Sequence, residues 1–162
     1  MARRLRPVGL DFIEGAPVRL RFGTEVSAAP EEVYRALAEE VADWPRWFRA
    51  VSSARPTHGG TGREIGLVGG VRFQETVMAA EPERRYAYRV DETNAPGLRA
   101  LLEEWRLAPA GSGTRIRWTF AADGPAPLRL ALAAARPGLG HSFRTAVRAL
   151  DTRLTARRDA GR

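Results

Sequence analysis

The sequence predicts an α+β domain, a curved antiparallel β-sheet packed on one long C-terminal helix, and three observations carry that prediction. Six segments alternate with the period of a strand, an amphipathic helix follows the first of them, and a single amphipathic helix closes the chain. None of the strands is the continuous apolar run of a parallel sheet. Such a sheet has a concave apolar face, which the helix must cover or a ligand must fill.

The first strand spans Val18 to Ser27, where Val18, Leu20, Phe22, Thr24 and Val26 alternate with Arg19, Arg21 and Glu25. Pro30 suits the first helical position and Glu31 and Glu32 favour the positive end of the helix dipole. Val33, Tyr34, Leu37, Ala38 and Val41 then repeat at helical spacing. Strands at Arg63 to Val68 and Val71 to Ala79 flank Gly69-Gly70, which reads as a two-residue hairpin connection because both glycines accept positive φ. A second hairpin turns at Glu81-Pro82-Glu83 into Arg85 to Glu92. Ala100 to Ala108 meets Gly113 to Ala122 across Ala110-Gly111-Ser112, with Ile116, Trp118 and Phe120 on one face. The final helix carries Phe143, Val147, Leu150 and Leu154 on one stripe, which should lie across the sheet, with Arg144, Arg148 and Arg153 largely outside it.

Length and composition fit one domain: 162 residues with 44% hydrophobic content bury one core. The expected organisation is an arm or extra edge strand at 1–16, where Val8, Leu10 and Phe12 alternate, a ligand-binding domain at 17–158 and a tail at 159–162. The most apolar stretch, Leu128 to Ala135, is too short to cross a bilayer, and the first residues lack the apolar run of a secretory signal. The expected location is therefore cytoplasmic, with no membrane span.

Several chemistries are excluded by residue usage. Without cysteine there is no disulfide framework, thiolate nucleophile or thiolate metal site. All 26 basic residues are arginine, so Schiff-base chemistry and a Walker-type phosphate loop are absent too. The net charge of +7 is spread over outward strand positions among glutamates, which predicts no specific nucleic-acid partner, and Arg3-Arg4 and Arg157-Arg158 read as solvated termini. Gly59-Gly60-Thr61-Gly62 precedes a strand and reads as a loop. His58 and His141 lack a ligand spacing and read as surface histidines, and no nucleophile elbow exists. No metal and no cofactor is expected.

Alternation places two carboxylates on the apolar face. If Val71, Phe73 and Val77 point inward then so does Glu75, and if Leu101, Trp105 and Leu107 do then so does Glu103. A buried carboxylate must be paired, wet or protonated, and unpaired its pKa rises. Either these groups line a cavity as acid or base, or a bulge shifts the register, or each sits at a wet rim against an arginine such as Arg63 or Arg99. Tyr86 and Tyr88 share a face with Val90, which brings a phenol within range.

The block Asp43-Trp44-Pro45-Arg46-Trp47-Phe48, with Ala29-Pro30-Glu31-Glu32-Val33-Tyr34 before it, resembles the polyketide cyclase/dehydrase branch of the START-like (SRPBCC) superfamily. So do Ala80-Glu81-Pro82 with Arg84-Arg85-Tyr86, the Gly113-Thr114 that opens the last strand, and the terminal helix. The resemblance runs from Pro17 to Ala156. It implies a helix-grip fold with two small helices after the first strand and a deep cavity between sheet and last helix. It also implies that Trp44, Trp47 and Phe48 sit at the small-helix end, as a plug or as ligand contacts. The Gly- and Pro-bearing segment from Gly124 to Gly140, with Pro125, Pro127, Pro137 and Gly138, would form the approach to the last helix and kink or gate the mouth. Members of the superfamily include aromatic polyketide cyclases, hormone and lipid carriers, quinone-binding proteins and chaperone activators, so the likeness leaves activity open.

Three functions stand at this point. The favoured one is binding of a hydrophobic small molecule, lipid, polyketide or isoprenoid-like, against Phe73, Glu75, Tyr86, Tyr88, Glu103, Trp105, Trp118, Phe143 and Val147. The alternative is a polyketide cyclase or dehydratase with Glu75, Glu103 or Tyr88 moving protons. The third, a protein-interaction module, needs an apolar surface patch that strand alternation does not predict.

Overall fold

The computed structural model describes residues 1–162. A short strand β1 (Arg3–Arg4) and a single helical turn α1 (Phe12–Gly15) precede β2 (Val18–Val26). Helix α2 (Pro30–Tyr34) runs on as a π-helical turn over Arg35–Glu39, and a 3-10 helix follows at Val41–Arg46. Five further strands then come in sequence: β3 (Val51–Thr57), β4 (Gly62–Leu67), β5 (Arg72–Glu81), β6 (Arg85–Thr93) and β7 (Ala100–Ala110). They are completed by β8 (Gly113–Asp123), α3 (Ala126–Ala134) and α4 (Arg136–Ala160).

All pairings are antiparallel, in the order β2-β8-β7-β6-β5-β4-β3, with β1 continuing β6's other edge at Thr93 and Glu92. The sheet curves round α4, whose Phe143, Ala146, Val147, Leu150 and Leu154 are buried in one core with Phe22, Tyr88, Trp105 and Trp118. This is the helix-grip architecture. Two fixings set the helix on the sheet. Asp151 accepts the backbone N–H groups of Ser27 and Ala28 at 3.0 and 2.9 Å and the Ser27 hydroxyl at 2.9 Å, holding the turn after β2 against α4. At the start of β8 a Cβ on Gly113 would stand 2.0 Å from the Val26 carbonyl oxygen, so only glycine fits, and the Thr114 hydroxyl beside it donates to the Ala28 carbonyl at 2.7 Å.

Four features depart from the sequence reading. The polar stretch Val51–Thr57 is a strand, on the open edge where Pro56 and the exposed serines are tolerated. The connection between β4 and β5 has three residues, since Leu67 donates to the Val71 carbonyl at 2.8 Å and Gly70 to the Leu67 carbonyl at 3.1 Å. Gly69 and Gly70 do take positive φ, 98° and 91°. The alternation of Val8, Leu10 and Phe12 makes no strand: the backbone turns at Phe12–Gly15, and Val8, Phe12, Ile13 and Ala16 pack on Ala100, Leu102 and Ala121 of the outer sheet face. β7 is consequently buried on both faces from Ala100 to Trp105. Finally, two helices follow the sheet, because the apolar run Leu128 to Ala135 forms most of α3.

The terminal arginines read as solvated, Arg3, Arg4, Arg157 and Arg158, are all exposed, and two of them also meet carboxylates. Arg157 meets Glu40 at 2.8 Å and Asp43 at 3.3 Å, and Arg4 meets Glu92 at 3.3 Å. These exposed pairs contribute little individually. No helix is long and apolar enough to cross a membrane.

Candidate ligand-binding site

Between the sheet and the start of α4 lies a cavity of about 240 Å³, and 11 of its 15 wall residues are apolar. The 3-10 helix and the turn after it supply Trp44, Phe48 and Ala50, β8 supplies Trp118 and Phe120, and α4 supplies Leu139 and Ser142. Its polar residues are Arg63, Glu75, Glu103 and Ser142, joined by the hydroxyl of Tyr88, whose ring counts among the eleven. The cavity is smaller than the roughly 300–1,000 Å³ of most ligand pockets. Stacked aromatics fill the remaining space: Trp105 on Trp118 with centroids 5.7 Å apart, Trp118 on Phe143 at 5.9 Å, and Trp44 against Trp47 at 5.0 Å.

The polar wall follows from strand register. Pairing across the β4–β5 hairpin sets Arg63 opposite Glu75, and Arg63 Nε donates to Glu75 Oε2 at 2.5 Å with both side chains almost wholly buried. The Arg63 guanidinium carbon lies 3.7 Å from the Tyr88 ring centroid and 4.3 Å from that of Trp44, while Nη1 is buried without a hydrogen-bond partner. Register across β6, β7 and β8 aligns Tyr88, Glu103 and Phe120. Trp105 Nε1 donates to Tyr88 Oη at 3.1 Å, Tyr88 Oη donates to Glu103 Oε2 at 2.6 Å, and Trp118 Nε1 donates to the same oxygen at 3.1 Å.

One guanidinium thus faces two carboxylates in a buried site. Burial by itself would lower the Arg63 pKa, but the Glu75 charge and the two tyrosines raise it overall, so it stays charged. Burial pushes Glu75 up to about 7 against the pull of Arg63, and the charge of Glu103 adds to the rise. Burial also raises Glu103, opposed by the Tyr88 hydrogen bond, by Arg63 and by Trp118. Tyr88 is raised by burial and by Glu103, and remains a donor. A single guanidinium faces two buried carboxyls, and burial raises both against its pull, with Glu75 at about 7.

This gives a pH dependence of definite sign. A carboxyl raised from 4.5 to about 7 in the folded protein binds a proton there that the unfolded chain has released, so stability is fullest below about 4.5 and falls as pH rises through 7. For one such group the fall is on the order of 3 kcal/mol. Chemical unfolding should require less denaturant at pH 8 than at pH 5, with a shallower fall in Glu103→Gln. A rise over that range attributable to these residues would contradict the geometry.

The family model described as polyketide cyclase / dehydrase and lipid transport matches residues 18–155. The chain belongs to this family. Uncharacterised proteins of Mycobacterium tuberculosis and Mycobacterium bovis are 33% identical over 155 residues, covering 93% of this chain and 92% of theirs. Among solved structures, XoxI of Bacillus cereus superposes with a TM-score of 0.69 at 17% identity, covering 85% of this chain and 96% of its own. A START superfamily protein of Mycobacterium smegmatis gives 0.66 at 12% identity, covering 85% and 97%. At such identities the two structures carry the fold alone.

Within this helix-grip frame, Phe73, Glu75, Tyr88, Glu103 and Trp118 stand on the cavity wall. Tyr86, Trp105, Phe143 and Val147, expected at the ligand, are buried behind it, because the stacked rings leave no space at their positions. Arg99 takes no part: it is exposed, whereas Arg63 is buried and bonded. Sequence reasoning named Arg63 as a carboxylate's partner at a wet rim; the pair forms with Glu75, but buried and on the cavity wall. It also left Trp44 and Phe48 undecided between plug and contact; both line the cavity, while Trp47 packs behind them. A third carboxylate, Glu104, is buried on the opposite sheet face and is neutralised by Arg85 at 2.6 Å and Arg106 at 2.9 Å.

Proposed function

We propose that the protein holds a small hydrophobic molecule, lipid, polyketide or isoprenoid-like, in the cavity between the sheet and α4, with a polar end of the ligand against Arg63, Glu75 and Glu103. The observation that supports this reading most is the composition of one cavity: a wall of aromatic and aliphatic side chains into which Arg63, Glu75, Glu103 and the Tyr88 hydroxyl are set together. Its volume of about 240 Å³ favours one or two rings or a short chain over a full-length lipid tail. The partnerless Arg63 Nη1 favours an acceptor oxygen, such as a carbonyl or hydroxyl, on the ligand.

A neutral naphthylamine dye is expected to bind with one site and micromolar affinity. Ser142→Phe, which adds a ring to the α4 wall of the cavity, should weaken that binding at least about tenfold, since overfilled space cannot hold the dye. Fluorescence titration of both proteins checks this, with circular dichroism confirming that the variant folds. Equal affinity in the two would remove the cavity as the site.

A second reading, cyclase or dehydratase, is favoured by one observation: Glu103 and Tyr88 form a buried hydrogen-bonded pair on the cavity wall, where burial raises the Glu103 carboxyl. In that reading the cavity folds a polyketone chain and Glu103 moves the proton.

A further inference from the structure

We propose that the end of the molecule bearing α3 and the β4–β5 turn docks on an anionic lipid bilayer surface, where the cavity exchanges its apolar ligand. Two exposed apolar features mark this end. Helix α3 turns Leu128 and Leu132 toward the core but leaves Pro127, Leu130, Ala131 and Ala134 on its outer face, all exposed, with Leu130 at 72%. Val68, at the tip of the β4–β5 turn, is 70% exposed. The loop between β6 and β7 ties them together: Asn94 donates to the Gly70 carbonyl at 3.0 Å and accepts from the Arg72 N–H at 2.8 Å, and Gly97 packs on Leu128. Leu67 and Leu139, adjoining Val68 and following α3 in sequence, are themselves cavity walls. Exposed apolar surface and ligand cavity therefore lie side by side.

Charge selects the partner. No aspartate or glutamate occurs from Gly124 to Leu150, and Arg129 in α3 and Arg136 at the start of α4 have no carboxylate partner. Farther along the same helix, Arg153 and Arg157 are paired with Asp43 and Glu40. The carboxylates next to the β6–β7 loop and to α3, Glu92 and Asp123, are neutralised by Arg4 and Arg6 of the N-terminal arm at 3.3 and 3.0 Å. Shallow apolar side chains beside unpaired arginines suit an interface of acyl chains under anionic headgroups. With no helix able to span a bilayer, the contact is a surface one. The proposal takes its purpose from the cavity reading, but vesicle binding requires no ligand.

The test is sedimentation with vesicles of phosphatidylcholine alone and of an equal mixture with phosphatidylglycerol. The protein is expected to pellet with the mixture and not with phosphatidylcholine alone. Leu130→Glu and Arg129→Glu should each lower the partition by roughly fivefold or more. Arg117→Glu, the same charge change at an exposed position on the outer sheet face, should leave it within about twofold. Four results would overturn the proposal: no pelleting with the mixture, equal losses for Arg117→Glu and Arg129→Glu, no loss for Leu130→Glu, or a dimer in solution that Leu130→Glu dissociates. Lost dye binding with vesicle binding intact would count against the cavity and leave the docking surface standing.

Discussion

Arg63→Ala is expected to lower the unfolding free energy at neutral pH by roughly 3–5 kcal/mol, among the largest effects of any single substitution in this chain. Removing the guanidinium leaves Glu75 buried without its partner, and it also strips the faces of Tyr88 and Trp44 of the cation stacked on them. Glu75 would then escape only by taking up a proton, since burial already pushes it up to about 7 with Arg63 present. The double variant Arg63→Met with Glu75→Leu should recover most of the loss, because it removes both desolvated charges while filling similar volume. Urea unfolding followed by circular dichroism measures all three proteins. A single variant within about 1 kcal/mol of the wild type would mean that the pair is wet.

Replacing Glu103 by glutamine separates the two functional readings by their size. The amide keeps the shape and an acceptor for Tyr88 and Trp118, so a binding protein should hold its dye with affinity changed by less than about threefold. If Glu103 moves a proton, the same variant should lose turnover of a poly-β-keto thioester by a factor on the order of a hundred or more. Absorbance of the cyclised product reads the second quantity and dye fluorescence the first. The binding account expects retained dye affinity together with no measurable turnover in either protein.

How far the sequence reaches can be judged from the β4–β5 hairpin. Alternation correctly puts Glu75 and Phe73 on one face, yet a two-residue turn at Gly69-Gly70 would have set Glu64 opposite Glu75. The third loop residue, Val68, moves Arg63 there instead. A shift of one position in a turn therefore decides whether a carboxylate meets a like charge or a guanidinium. Glu103 and Tyr88 were legible as inward residues because β6 and β7 alternate without interruption between them. β3 was not, since its serines and Pro56 meet solvent on an edge strand and give no apolar period. The size of the cavity was also out of reach. Alternation shows that Trp105, Trp118 and Phe143 point inward, but only their stacking reveals that they consume the space expected for ligand.

The arm and α3 illustrate a different limit. Val8, Leu10 and Phe12 alternate as in a strand, but the outer face of β7 and β8 presents Ala100, Leu102 and Ala121, a shallow apolar surface that a compact helical turn covers. In α3, Leu128, Leu130 and Leu132 appear as one apolar run, and helical geometry then divides them between the core and solvent.

The most direct measurement of the central claim is nitrogen-15 NMR of the four tryptophan side chains during titration with a small neutral aromatic ligand. Trp44 and Trp118 line the cavity, and the Trp118 indole N–H is bonded to Glu103; Trp47 and Trp105 lie behind the wall. The account predicts saturable shifts largest for the Trp118 and Trp44 indole N–H groups, with Trp47 nearly unmoved. Shifts confined to Trp47 or to backbone amides of the outer sheet face, or no saturable shift at any of the four, would contradict it.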